Sequence, residues 1–235
     1  MVLNSVVASL AAIGSAQAQS ICGQDERQPS FARGVGVVES KNPETNPGFC
    51  TITLIDDACA LTAGHCLHVL ERATFYLDNE ENQMSKAESY EVDKASIRAL
   101  QTRIGNDWAV VRLKPNSTTS LLPGKVHGFV EPQITPVELP AGEIEVHAVE
   151  RKVAKTFERY SARGQILATD NSILFHDLYT VPGGSGALIV DPANGKAFAI
   201  HTHGGCETMK NNKGTIIARV PFLVRAIKEC RQMSQ

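Results

Sequence analysis

The sequence predicts an all-β protein, two β-barrels in tandem closed by one C-terminal helix. Three observations carry this. Short apolar or alternating runs broken by Gly, Pro, Asn and Asp dominate the chain, the pattern of strands joined by turns. Residues 114–142 hold Pro115, Pro123, Pro132, Pro136 and Pro140 and read as a connection between two units. A single late segment has helical spacing. The length suits one large β domain or two small ones and can bury a sizeable core.

Taken in order, residues 1–18 form an alanine-rich, weakly apolar stretch ending Ala16-Gln17-Ala18. That small-x-small ending fits a signal peptide with the mature start near Gln19, although no Lys or Arg precedes the apolar run. The stretch is too short and interrupted to span a bilayer. Residues 19–120 are expected to form the first barrel, with strands at 34–38, 50–55, 59–61, 73–77 and 108–113. Residues 121–220 supply the linker and the second barrel, with strands at 143–149, 172–178, 186–190, 197–203 and 215–220. Residues 221–235 carry the helix. Pro221 suits its first turn, and Leu223, Ala226, Ile227 and Cys230 fall on one face at i, i+3, i+4, i+7 spacing.

A formal net charge of −2 and a pI near 6.4 give no basic footprint, so neither nucleic acid nor an anionic membrane is an expected partner. Six cysteines, Cys22, Cys50, Cys59, Cys66, Cys206 and Cys230, agree with export to an oxidising compartment, the extracellular space or a periplasm. No Cys-x-x-Cys pair occurs, which argues against a structural zinc or redox motif. His201, His203 and Cys206 are the best metal-ligand candidates, since i and i+2 share a strand face, but no fourth ligand is evident. No metal or organic cofactor is expected.

Three short motifs carry the chemistry. His65 lies in Leu61-Thr62-Ala63-Gly64-His65-Cys66, Asp107 in Asn106-Asp107-Trp108-Ala109-Val110-Val111, and Ser185 in Pro182-Gly183-Gly184-Ser185-Gly186-Ala187. Serine needs a neighbouring imidazole to take its proton as it attacks, and the imidazole needs a carboxylate to fix its tautomer. An acid before an apolar run is by itself usually a turn residue; its place between the other two motifs singles out Asp107. Glycines around Ser185 let consecutive N–H groups converge on one point. The order His, Asp, Ser distinguishes this arrangement from two other hydrolase architectures that use the same three residues in other orders.

On these motifs the chain resembles the chymotrypsin-fold serine proteases, and within them most closely the bacterial glutamyl endopeptidases. The resemblance implies two six-stranded antiparallel β-barrels of the chymotrypsin type, with His65 and Asp107 from the first and Ser185 from the second. It implies His65 as general base, Asp107 as its orienting acid, Ser185 as nucleophile, and the N–H groups of Gly183 and Ser185 as oxyanion hole. It also implies a Cys50–Cys66 bridge beside the histidine, and Cys59–Cys230 from the usual place of the C-terminal helix, leaving Cys22–Cys206. One departure stands at Gly184. Trypsin-like relatives carry Asp there and glutamyl endopeptidases often Asn, so activation by a cut at Arg33–Gly34 and an aspartate ion pair is not supported.

For the residue before the cut, trypsin-like enzymes that take Lys or Arg carry Asp six residues before the serine; Tyr179 stands there. Glutamyl endopeptidases carry a threonine five residues before the serine, matched by Thr180, and a histidine on the following strand. His201 fits that histidine, with His203 as the alternative, because the family's His-x-Gly-Gly appears here one residue longer, as His201-Thr202-His203-Gly204-Gly205. A hydroxyl and an imidazole can hydrogen-bond a glutamate carboxylate. Gly23-Gln24-Asp25-Glu26-Arg27 resembles a segment near the mature start of the same family, where the terminal amine helps bind that carboxylate. His68, His127, His147 and His176 belong to no motif and are taken as structural or surface residues.

The expectation is a monomeric, exported serine endopeptidase acting on polypeptides, with glutamate favoured before the cut. Two alternatives stay open: a protease whose pocket takes an apolar side chain against Tyr179, and a catalytically silent binding protein on the same fold.

Overall fold

The computed structural model describes residues 22, 25–42, 44, 46, 48–78, 84–152 and 156–233; the expected signal peptide and mature start lie outside them. Strands β2 (Val35–Glu39), β3 (Phe49–Leu54), β4 (Cys59–Thr62), β5 (Arg72–Asp78), β6 (Met84–Arg103) and β7 (Asn106–Leu113) close a barrel in the order β2-β3-β4-β7-β6-β5. A short β1 (Gln28–Pro29) lies instead on the second barrel. That barrel is built from β8 (Glu143–Arg151), β9 (Phe157–Asp170), β10 (Ile173–His176), β11 (Leu188–Asp191), β12 (Lys196–His203) and β13 (Asn212–Ile216). Its order is β9-β10-β13-β12-β11-β8, and β8 pairs β9 to complete the ring. The fold is therefore two closed six-stranded antiparallel β-barrels. Helix α1 (Pro123–His127) sits in the proline-rich connection, α2 (Cys206–Met209) follows β12, and α3 (Pro221–Gln232) ends the described chain.

Each barrel fills its interior by alternation. Ile52, Leu54, Phe75, Tyr90, Val92 and Val111 pack the first, and Ile144, Val146, Tyr160, Leu174, Ile189 and Phe198 the second. The stripe of α3 (Leu223, Ala226, Ile227, Cys230) packs with Ile55, Trp108, Val110 and Leu188 in a third cluster, so the helix seals the seam between barrels. Among the described residues no helix is long and apolar enough to cross a membrane.

Several expected boundaries shift. Strand 186–190 begins only at Leu188, because Ala187 N–H donates to Gly184 carbonyl and Gly186 adopts φ +89°, which holds the preceding residues in a turn. Strand 215–220 ends at Ile216, where Ile217–Arg219 coil into a 3-10 turn that delivers Pro221 to α3. Strands β1, β6 and β9 were not expected. In β6 the inward residues Glu88, Tyr90 and Val92 alternate correctly, but a charged residue among them hides the pattern. Glu88 is tolerated because the Tyr90 hydroxyl donates to it (2.7 Å) and the His127 imidazole lies 3.3 Å away, the pairing that a buried carboxylate requires.

Three disulfides, Cys22–Cys206, Cys50–Cys66 and Cys59–Cys230, account for every cysteine. The second ties β3 to the turn carrying His65, and the third ties β4 to α3.

Candidate active site

His65 stands in a 3-10 turn, Gly64–Val69, between β4 and β5. Only a glycine fits at position 64: an added Cβ would lie 2.2 Å from Leu100 carbonyl and 2.9 Å from Asp107 Oδ1. That close approach lets Asp107, the second residue of β7, grip the histidine twice. Oδ2 lies 2.7 Å from His65 Nδ1, and Oδ1 accepts the His65 backbone N–H at 2.8 Å. Asp107 is only 2% exposed. The grip fixes the ring so that Nε2 carries the free lone pair, the tautomer a general base needs.

Ser185 belongs to the second barrel but is pinned to the first. Its carbonyl accepts from Thr51 N–H (2.9 Å), and the Thr51 hydroxyl donates to Gly183 carbonyl (2.8 Å). Thr51 adjoins Cys50, which is bonded to Cys66, the neighbour of His65. Gly186 lies against the same wall: a Cβ there would meet Thr62 Oγ1 at 2.2 Å. Gly183 takes φ +97° with the Phe49 ring against its Cα, a conformation strained for any residue with a side chain. Among the described residues neither the Gly183 nor the Ser185 N–H has an acceptor.

The departure at Gly184 has a structural counterpart that the sequence did not reveal. Tyr160 of β9 reaches under the turn, its hydroxyl 3.1 Å from where a Gly184 Cβ would stand and accepting from Val181 N–H at 3.3 Å. Arg27 covers the Tyr160 and Tyr179 rings, 5.3 and 4.8 Å from their centroids, and is itself held by Asp25 and Glu150. The Arg27 hydrogen bond is the main cause that brings the Asp25 carboxyl down to about 2. Tyr179 thus braces the N-terminal segment.

Thr180 and His201 are both buried, each with a partner outside the motifs. The Thr180 hydroxyl accepts from Asn212 Nδ2 at 3.2 Å, while the same amide donates to Leu178 carbonyl. His201 Nδ1 lies 3.2 Å from Nε2 of His176, so one of the histidines taken as merely structural is the immediate neighbour of a candidate pocket residue. The register of β12 against β13 shifts between His201 and His203: the extra residue, Thr202, is taken up as a bulge. His203 emerges beyond it, partly exposed, its ring 5.9 Å from that of His65 and its Nδ1 3.9 Å from Asp107 Oδ2. Gly204 and Gly205 follow, with Gly205 N–H donating to Asn212 Oδ1 at 3.0 Å. Cys206 is bonded to Cys22, which removes it as a metal ligand.

Burial dominates the histidine electrostatics. It holds His201 down to about 3, with charge on His203 and His65 adding to the effect, and His176 well below the ordinary value, with charge on His201 adding. In the unfolded chain both titrate near ~6.5. Between those limits the unfolded state binds more protons, so stability is complete above about pH 6.5 and falls as pH is lowered toward 3. The urea midpoint is expected to drop between pH 7 and pH 4.5, with a shallower drop in His176→Phe. A midpoint that does not move would contradict the buried, neutral pair.

The sequence matches the trypsin family over residues 21–225, nearly the whole span from Cys22 into α3. The chain belongs to the trypsin family. Among solved structures it is similar to a Glu endopeptidase in complex with MPD, at 15% identity and TM-score 0.69, covering 89% of this chain and 98% of that one. It is also similar to a scabies mite inactivated protease paralogue, S-D1, at 13% identity and TM-score 0.60, covering 84% and 91%. No curated protein matches the chain significantly. At these identities the structural likenesses establish the protease fold, shared by an enzyme and by an inactivated relative.

Proposed function

We propose that this trypsin-family member is an exported serine endopeptidase that cleaves polypeptides after glutamate, using Ser185, His65 and Asp107. The observation that carries the reading is the double grip of Asp107 on His65 at the seam where the Ser185 turn is pinned to the first barrel. Inactivation needs only one of these groups to be lost, and this chain keeps all three.

In this reading Ser185 Oγ attacks the scissile carbonyl carbon as His65 Nε2 takes its proton. Asp107 stabilises the imidazolium, and the Gly183 and Ser185 N–H groups receive the oxyanion, each donor being worth about 3–4 kcal/mol in comparable sites. His65 then returns the proton to the leaving amine, and water hydrolyses the acyl-enzyme by the same route. Thr180 and the histidines of β12 support recognition of a carboxylate before the cut, as does the likeness to a Glu endopeptidase. The three disulfides suit an oxidising compartment, and residues 1–18 serve as the signal peptide.

A fluorophosphonate probe tests the nucleophile directly. The mature protein is expected to be labelled on Ser185, and Ser185→Ala to remain unlabelled. A folded wild-type protein that resists labelling would sink the proposal and favour a binding protein on the protease fold.

A further inference from the structure

We propose that Arg27 is a positioning residue for the oxyanion hole, acting through Tyr160 in place of a side chain at position 184; this rests on the protease reading of the cleft. The turn that carries the oxyanion donors has two consecutive glycines, Gly183 and Gly184, and glycine has the most conformational freedom to lose on ordering. The two ends of the turn are fixed from the first barrel, where Thr51 holds the Gly183 and Ser185 carbonyls. Between them Gly184 has no side chain with which to anchor itself. Its N–H donates to Val181 carbonyl (2.9 Å) and its carbonyl accepts from Ala187 N–H (3.0 Å), so both bonds stay within the turn. The Tyr160 hydroxyl fills the missing place, 3.1 Å from where a Gly184 Cβ would stand and accepting from Val181 N–H.

Tyr160 is in turn held from outside the barrel. Residues 25–27 lie between two anchors: the Cys22–Cys206 bond ties the segment to α2, and β1 pairs its Pro29 with Tyr160 itself. Between those anchors the Arg27 guanidinium covers the Tyr160 and Tyr179 rings, 5.3 and 4.8 Å from their centroids, and the face of an aromatic ring attracts a cation. The two tyrosines bracket the turn. Tyr160 lies beneath Gly184, and Tyr179 stands where the chain enters the turn, next to Thr180. With its side chain only 18% exposed, the guanidinium needs anions to compensate for lost water, and Asp25 and Glu150 supply them. One fixed, paired charge therefore holds both rings. Without it the rings and the turn gain freedom together, and the Gly183 and Ser185 N–H groups no longer keep one direction.

The test compares the mature wild-type protein with Arg27→Met, which keeps an apolar stem over the rings and removes the charge. On a peptide that the wild type cleaves, kcat is expected to fall about tenfold with KM unchanged, the scale of a partly desolvated cation–π contact. The inhibition constant of the matching peptide aldehyde, whose carbonyl carbon adds Ser185 Oγ while its oxygen enters the hole, should rise by the same factor. That of the peptide alcohol, which forms no adduct, should stay where it is. Arg27→Lys, still a cation, should keep most of the activity. An unchanged kcat in a folded Arg27→Met, or equal weakening of aldehyde and alcohol, overturns the inference and leaves the protease reading intact. Hydrogen exchange separates the two claims: amides of residues 179–187 should exchange faster in Arg27→Met than in wild type, with β3 and β7 unaffected, whether or not the wild type cleaves. Unchanged exchange in that segment overturns the inference. If Arg27→Met does not fold, the same measurements on Glu150→Gln, which only loosens the guanidinium, decide: smaller shifts in the same direction support the inference and none overturns it.

Discussion

Replacing Asp107 with Asn lowers kcat about ten-thousand-fold while leaving the protein folded. Asp107 accepts two hydrogen bonds from His65, one from the ring and one from the backbone. An amide can offer its oxygen to one of them, but its NH2 then faces the other. If the ring nitrogen meets the NH2, the imidazole must turn its lone pair inward and Nε2 becomes protonated. The base is then lost, a change worth about that factor in triads of this kind. His65→Ala and Ser185→Ala remove the base and the nucleophile outright and should lose about a million-fold, with the double variant no worse than either single one, because the three groups act as a unit. Stopped assays on a glutamyl peptide, with circular dichroism as the folding control, check this. A loss of less than about tenfold in Asp107→Asn would mean that His65 is oriented by something else, and His203, 3.9 Å from the same carboxylate, would be the first residue to examine.

Removing the Cys59–Cys230 bridge by paired serine substitutions is expected to cost much more stability than removing Cys50–Cys66. The bond closes a loop with a sequence separation of 171, for which the chain-entropy relation gives about 5 kcal/mol, against about 3 kcal/mol for Cys50–Cys66, whose separation is 16. It also anchors α3, whose buried stripe covers the seam between the barrels, so its loss frees the helix to detach. For a chain of this size that corresponds to a fall in Tm of roughly 10–20 °C. Losing Cys50–Cys66 should cost less stability and more activity, because that bond fixes the turn bearing His65 to the strand that pins Ser185. Differential scanning calorimetry and peptide hydrolysis on both variants give the comparison. Equal shifts in both quantities would contradict it.

The parts of the molecule visible in the sequence are those set by local rules. The α3 stripe could be read because a helix buries residues at fixed intervals, and Leu223, Ala226, Ile227 and Cys230 are buried. The strands around His65, Asp107 and Ser185 could be read because their flanks are apolar or glycine-rich. Long-range compensation is what stayed hidden. Glu88 points into the first barrel only because Tyr90 and, from the linker, His127 meet it there, and without that knowledge β6 does not look like a strand. Nothing near Gly184 says that a tyrosine from β9 supports the turn. The bulge at Thr202 separates two histidines that the sequence could not tell apart, burying His201 against His176 and turning His203 toward His65. Two of these had faint signals: a family motif one residue too long points to a bulge, and an acid in an alternating run suggests a buried partner.

The central claim is that Ser185 is the nucleophile of a glutamate-directed endopeptidase. Digestion of a denatured protein mixture by the purified mature protein, with Ser185→Ala alongside and cut sites read by mass spectrometry, tests it most directly. The account predicts cuts after Glu that vanish in the variant. Serine-dependent cuts after other residues would contradict the roles given to Thr180 and the β12 histidines, and the absence of any serine-dependent cut would contradict the enzyme itself.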